Sequence, residues 1–157
     1  DTVYFVSGGG AMYLVDALGK SGMNAVATIH EAGAGFMAIG HAMLTNKLAV
    51  CIVTSGPGST NILSAVAAAW MDSVPVLFIS GQAKTETLIG DTGLRTRGVQ
   101  ELDIIAMVKP ITKLAYQPIT EGVDCLRALH NTIEACLSGR PGPCWLAVPL
   151  DVQGMEV

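Results

Sequence analysis

Six short apolar runs alternate with stretches of helical spacing along this chain, and the first, third and fourth run straight into serine- and glycine-containing turns. The pattern predicts strands over 3–6, 25–29, 49–54, 74–80, 111–116 and 144–148. Between them it predicts helices over 11–21, 31–44, 60–71, 101–108 and 121–137. In the first helix Met12, Leu14, Val15 and Leu18 fall on one side, and Gly22 stops it. Strict alternation of this kind is the signature of an α/β fold: a mostly parallel sheet of about six strands with helices on both faces, in three layers. The exception is 81–100, which is polar, aperiodic and long for a connection, with Gly90, Gly93 and Gly98 in it. Such a stretch is either a functional loop or a disordered one.

Composition supports the layered reading. The 157 residues suit one domain, 1–157, with one core. Half the residues are hydrophobic but only 5% are aromatic, so Ala, Val, Ile, Leu and Met must build the interior. So apolar a chain needs both sheet faces covered, and it implies further apolar surface that meets a partner. The net charge of -4, with no Lys/Arg cluster, argues against a nucleic-acid groove. No apolar run reaches spanning length and no signal-peptide pattern is present, which predicts a cytoplasmic protein away from the membrane. The opening at Asp1, without Met and almost inside a strand, leads us to expect a piece of a longer protein.

Cys51, Cys125, Cys136 and Cys144 form no C-x-x-C pair. Cys125 and Cys136 share a predicted helix, about 16 Å apart at 1.5 Å per residue, too far for a disulfide. All four read as core cysteines of a reducing compartment.

Ligands of parallel sheets bind beyond the carboxyl ends of the strands. Four segments fall there: Ser7-Gly8-Gly9-Gly10, His30-Glu31, Thr54-Ser55-Gly56-Pro57-Gly58 and Ser80-Gly81-Gln82. A carboxylate at that edge, beside glycine-rich turns, is placed to hydrogen-bond a flat heterocycle. A dinucleotide fingerprint does not account for the pattern. With Gly8 and Gly10 as the first two glycines, the third position is Tyr13, which obstructs close helix–sheet packing. The turn from Thr54 to Asn61 is no Walker A loop, because it lacks the lysine, and it contains no G-x-S-x-G elbow. Its glycines permit close backbone approach to a ligand and Pro57 stiffens it. Taken alone, it reads equally as a tight strand-to-helix turn, and Glu31 as a carboxylate favoured by a helix N-terminus.

Together, His30-Glu31, Thr54 to Asn61, Asp72-Ser73-Val74-Pro75, Ser80-Gly81-Gln82 and Pro149-Leu150-Asp151-Val152-Gln153 resemble the pyrimidine-binding domain of thiamine diphosphate enzymes, in the acetolactate synthase-like branch. Gly8-Gly9-Gly10-Ala11-Met12, Arg97 to Asp103 and Met107 to Lys113 resemble the members found in sugar and polysaccharide pathways. The resemblance implies that Glu31 is catalytic, holding a proton at N1' of the aminopyrimidine and so activating the cofactor. It implies that Gly8, Gly9, Gly10, Thr54, Gly56, Pro57 and Gly58 line the cofactor, that Asn61 supports that wall, and that Gln82 faces the substrate. His30 would orient Glu31 or pack beneath it.

The family's reaction is decarboxylation of a small 2-oxoacid, such as pyruvate, followed by carboligation. Mg2+ and the diphosphate would be held by a second domain, of the same or a partner chain, in a homodimer or homotetramer. Some members also use FAD, which nothing in this chain indicates. The pattern departs from typical acetolactate synthases at Ala32, Phe36 and Gly8, where they carry Gln, His and Pro, and Tyr13 stands where sugar-branch members often carry His. Two alternatives stay in view: a small subunit of a two-chain 2-oxoacid decarboxylase, since some members split the two domains between polypeptides, and a non-catalytic assembly or regulatory domain, which the altered neighbours at Ala32 and Phe36 keep open.

Overall fold

A computed structural model describes residues 2–118 and 122–156. One six-stranded sheet organises them: β1 (Thr2–Phe5), β2 (Asn24–Ala27), β3 (Ala49–Val53), β4 (Val76–Gln82), β5 (Ala115–Tyr116) and β6 (Cys144–Pro149). Every pairing is parallel and the spatial order is β2-β1-β3-β4-β6-β5. The helices are α1 (Met12–Lys20), α2 (Glu31–Thr45), α3 (Pro57–Thr60), α4 (Leu63–Asp72), α5 (Ile104–Val108), α6 (Gly122–Leu137) and α7 (Leu150–Gln153).

The period-two alternation of strand side chains divides the interior into two cores. Cys51, Val53, Phe78, Trp145 and Ala147 join α2, α4 and α5 on one face of the sheet. Their neighbours Ile52, Leu77, Ile79, Leu146 and Val148 join α1, α6 and α7 on the other. β4 and β6 are buried along their whole length, which explains their near-continuous apolar sequences. Trp145 stacks on Phe78 at 5.9 Å between ring centroids, and its indole N–H donates to the Ser80 hydroxyl at 3.1 Å, so its one polar atom is satisfied in the core. Small residues bring α2 and α4 together: a Cβ on Gly35 would stand 2.6 Å from that of Ala65.

The three-layer reading holds, with four local corrections. The helix expected over 60–71 is two pieces. Pro57 starts α3 early, as proline does at a first helical position, and the chain breaks at Asn61-Ile62 before α4. β4 starts at Val76, after Pro75, and runs on through Gly81 and Gln82. The strand expected over 111–116 keeps only Ala115–Tyr116, because Pro110 sets a 3-10 turn over Lys109–Ile111 and the Thr112 hydroxyl donates to the Val108 carbonyl. α7 was not anticipated. The helix expected over 121–137 is α6, with Glu121 outside the described residues. Cys125 and Cys136 both lie on it, and all four cysteines are free thiols.

The strand order fixes where a ligand can sit. The chain leaves β1 for β2 on one side and then crosses to β3 on the other, so the order reverses between β1 and β3. Parallel sheets open a crevice at such a point, beyond the carboxyl ends of the two strands. β4 closes its far side, and there the Gly81 backbone lies against Gly10. A Cβ on Gly81 would overlap the Gly10 carbonyl and stand 2.9 Å from the Ala11 nitrogen. Both neighbours are backbone and cannot rotate away. Gly81→Ala is therefore expected to destabilise the domain by about 1–3 kcal/mol, the usual range for overpacking. Urea unfolding should show a lower midpoint with an unchanged slope.

Candidate functional site at the carboxyl edge of the sheet

Glu31 is the first residue of α2, so its side chain leaves the sheet edge beside the β1–β3 crevice. The helix can start there because His30 is extended (φ -154°) and its Nδ1 accepts the Ala32 N–H at 3.1 Å, as an N-cap side chain does. His30 thus caps the helix with an exposed ring. Among the described residues no hydrogen bond joins this ring to Glu31.

The second wall is the turn after β3. Gly56 sits at φ +60°, and Gly58 lies so close to its surroundings that a Cβ would stand 2.6 Å from Thr54 Cγ2 and 3.4 Å from Glu31 Oε1. The Ser59 hydroxyl closes the turn onto the Thr54 carbonyl at 2.7 Å. The third wall is the turn after β1. Gly10 N–H donates to Thr54 Oγ1 at 3.0 Å, and a Cβ on Gly8 would meet Thr54 Cβ at 2.5 Å. Thr54 therefore joins the two glycine turns, and a carboxylate overhangs the second. Ser7 and Gly9 are the exposed residues of the first turn and Pro57 that of the second.

Asn61 does more than support the wall. Its Nδ2 donates to Glu31 Oε2 at 2.9 Å, while among the described residues Oε1 accepts no hydrogen bond. One oxygen is fixed and the other is available to a donor. Beneath them, burial and secondarily the Glu31 charge push the Cys51 thiol well above the ordinary cysteine range, so Cys51 stays neutral.

Gln82 is placed differently from the rest. It is 3% exposed and lines a neighbouring cavity of about 400 Å3 between β4, the β1 turn and the loop 97–100. Its amide is tied down: Nε2 donates to the Leu102 carbonyl at 2.8 Å and to Gln117 Oε1 at 3.4 Å, and Oε1 accepts the Ala83 N–H at 2.9 Å.

Three other residues shape the site. Glu101, buried at 6% exposure, accepts N–H groups from Ile89, from Gly98 at 3.0 Å and from Arg97 at 3.3 Å, and so folds the aperiodic loop around one carboxylate. Gln100, beside it, adopts φ +53°, and its carbonyl fills the space that a Cβ on Gly56 would need. Gln153 on α7 donates from Nε2 to the Gly10 and Val148 carbonyls, both at 2.8 Å, pinning the first glycine turn from below. A lone acid at the end of a glycine-bearing loop was the available signal for Glu101. The conformation of Gln100 leaves no mark in the sequence. Among the described residues no group of three or more His, Cys, Asp or Glu could hold a metal, and no helix is long and apolar enough to cross a membrane.

With the geometry in place, residues 1–107 match the family model described as thiamine pyrophosphate enzyme, N-terminal TPP binding domain. The chain belongs to this family. Its similarity to acetolactate synthase large subunits extends over nearly all of its length. It is 38% identical to that of Corynebacterium glutamicum, over 100% of this chain and 24% of the relative. It is 37% identical to the isozyme 2 large subunit of Escherichia coli (strain K12), over 98% and 27%, and 35% identical to that of Lactococcus lactis subsp. lactis, over 100% and 26%. The chain thus spans about a quarter of the length of these curated relatives.

Two measurements check the supports of this site. Glu101→Ala removes the acceptor shared by three loop amides, so amide exchange at Ile89 and Gly98 should accelerate while the amides of β3 and β4 stay protected. The second concerns the clamp between α7 and the loop after β4, where Asp151 accepts hydrogen bonds from the Thr85 amide and hydroxyl. Burial raises the Asp151 pKa, but the hydrogen bonds from the Thr85 hydroxyl and amide and from the Asp151 and Val152 amides together outweigh it and hold the group below its ordinary value. A carboxyl depressed by folding contributes stability above its unfolded pKa, and this is lost as the pH falls through the folded value. Asp151→Asn should therefore be less stable than wild type at pH 7. The difference should shrink as chemical unfolding is repeated below about pH 4, the unfolded carboxyl range.

Proposed function

We propose that this chain is a single pyrimidine-binding domain of a thiamine diphosphate-dependent 2-oxoacid decarboxylase or carboligase, acetolactate synthase-like, in which Glu31 is the catalytic acid–base group. The observation that carries the proposal is the state of the Glu31 carboxylate. Asn61 holds Oε2, while among the described residues Oε1 accepts no bond and stands 3.4 Å from the place a Cβ on Gly58 would take. A carboxylate is an acceptor only, so the open oxygen calls for a donor such as a protonated ring nitrogen. When bound, thiamine diphosphate supplies the carbanion chemistry at its thiazolium carbon.

The chain's own residues orient and exchange a proton. Glu31 shares a proton with N1' of the aminopyrimidine. Asn61 fixes the carboxylate rotamer, and its exposed hydrogen bond serves orientation more than stability. Gly8, Gly9 and Gly10 with Thr54, Gly56, Pro57 and Gly58 offer backbone to the ring faces. Gln82 lines the substrate side, where its committed amide gives a fixed wall. The diphosphate and Mg2+ fall to a second domain outside residues 1–157.

A partner domain is supported by the apolar residues left on the surface. Ile29 is fully exposed, Phe36 and Met37 are half-exposed one to two turns into α2 from Glu31, and Met43 and Leu44 continue the exposed apolar residues toward the far end of that helix. Covering such a patch removes water from the region of the carboxylate and strengthens its interactions. We assign the active assembly as a homodimer or homotetramer acting on a small 2-oxoacid in the cytoplasm.

The test is Glu31→Gln in the full-length enzyme. Glutamine keeps the shape and the Asn61 contact but cannot exchange the proton. The turnover number should fall about 10²-fold to 10⁴-fold, the usual contribution of a positioned acid–base group, while thiamine diphosphate still binds. Unchanged turnover would leave the domain a structural or regulatory one.

A further inference from the structure

Two of the four cysteines come together at the amino end of the sheet, the end opposite Glu31. Cys144 opens β6 and Cys136 lies in the last turn of α6, and both are buried in the core beneath that helix. The Cys136 thiol donates to the Val76 carbonyl at 3.7 Å. The β4–β6 register sets Cys144 opposite Leu77, while the Trp145 amide donates the other way, to the Leu114 carbonyl at 2.8 Å. The Cys144 amide therefore faces β4, where a parallel ladder gives it the Val76 carbonyl as partner. One carbonyl thus receives the Cys136 thiol and the Cys144 backbone, which sets the two residues side by side. The turn between them doubles back, with the Gly142 amide donating to the Cys136 carbonyl at 3.1 Å.

Lys113 spans the pair. Its amide donates to the Pro143 carbonyl at 2.8 Å, next to Cys144, and its ammonium donates to the Ala135 and Ser138 carbonyls around Cys136. Its stem crosses Gly142, where a Cβ would stand 3.1 Å from Lys113 Cδ. A cation beside thiols favours the thiolate. A hydrogen bond with the Cys136 side chain holds the Cys144 thiol below the ordinary cysteine range against the effect of burial, and the Leu114 amide and the Lys113 charge act the same way. The same bond, joined by burial, raises Cys136. Cys144 is thus the nucleophile of the pair and Cys136 the partner that keeps its proton. We propose that Cys136 and Cys144 form a redox site, a dithiol that a hydroperoxide oxidises to a disulfide and a dithiol reductant restores.

The chemistry is independent of the carboligase reading. The Cys144 thiolate attacks one peroxide oxygen, the O–O bond breaks, hydroxide leaves, and the sulfur becomes a sulfenic acid. The Cys136 thiol then loses its proton, and its sulfur displaces the hydroxyl from Cys144, forming the S–S bond and releasing water. The proton given up when Cys144 ionised turns the hydroxide into a second water. Thus R–SH + HS–R' + H2O2 gives R–S–S–R' + 2 H2O, the sulfurs being oxidised and the peroxide reduced. Residues 137–141 beside the pair are exposed, so local opening of this turn admits a small neutral oxidant. The product ties the end of α6 to the start of β6.

The experiment treats the full-length protein with hydrogen peroxide, blocks remaining thiols with N-ethylmaleimide in denaturant, and maps the peptides by mass spectrometry. Cys136 and Cys144 should be recovered joined, two hydrogens lighter and unalkylated, and both should take up N-ethylmaleimide after dithiothreitol. Recovery of both as alkylated thiols under excess peroxide, or of either joined to another cysteine, overturns the proposal. Single variants test the order of events. With dimedone present during oxidation, Cys136→Ala should carry the label on Cys144, and Cys144→Ala should leave Cys136 unlabelled; any other pattern overturns it. Amide exchange gives a readout free of trapping reagents. Exchange at Ser138 and Gly142 should slow about tenfold or more in oxidised wild type relative to reduced, as a cross-link that suppresses local opening requires, with no such change in Cys144→Ala. Equal exchange in oxidised and reduced wild type overturns it.

Discussion

One hydroxyl holds the site together. Thr54 accepts the Gly10 amide and presents its methyl and Cβ to the spaces that Gly8 and Gly58 leave open. The turn after β1 and the turn after β3 would otherwise be independent loops at the end of a sheet. Thr54 makes them a single surface, and it does so at the place where the strand order reverses. Glycine at positions 8 and 58 follows from this contact, because any Cβ there would collide with the threonine side chain. What looks in the sequence like a pair of flexible loops is a close-packed seam.

The remaining supports converge on the same seam from different directions. Gln153 reaches it from α7, Gly81 closes against it from β4, and the Gln100 carbonyl packs onto Gly56 from the loop. Glu101 has the role in that loop that a small core has elsewhere. It gathers backbone donors that would otherwise need water, and a fully desolvated carboxylate tolerates burial only with such partners. Order in 89–101 therefore comes from hydrogen bonds centred on one side chain, and apolar packing contributes little to it. This explains why hydrophobic periodicity could not reveal the loop's shape.

The sheet was legible because its residues obey simple periodicities. Apolar runs such as Ala49–Val53 and Cys144–Pro149 are buried on both faces, and the glycine-rich clusters that follow strands lie where parallel sheets place their ligands. Glu31 stood out because it follows a strand at that edge and opens a helix, a position from which a side chain overhangs the crevice. The misreadings share a cause. Pro57 and Pro110 moved element boundaries by removing donors, His30 capped a helix through a ring nitrogen, and Gln100 took a left-handed conformation imposed by its neighbours. Each depends on a contact distant in sequence or on a side chain used in a way its residue type does not advertise. The pairing of Asn61 with Glu31 belongs with them, since nothing in the spacing of thirty residues announces that the two meet.

Glu31 and Asn61 are delivered by different parts of the sheet. Glu31 follows β2, the outermost strand, which is held from one side by β1 and is largely exposed, whereas Asn61 follows β3 in the interior. The acid nevertheless stands on α2, whose Ala34, Gly35 and Ala38 are buried against the central strands and α4. Entry from an edge strand therefore does not loosen the pair: both side chains are anchored in one core, and their separation changes only if α2 and the turn after β3 shift against each other.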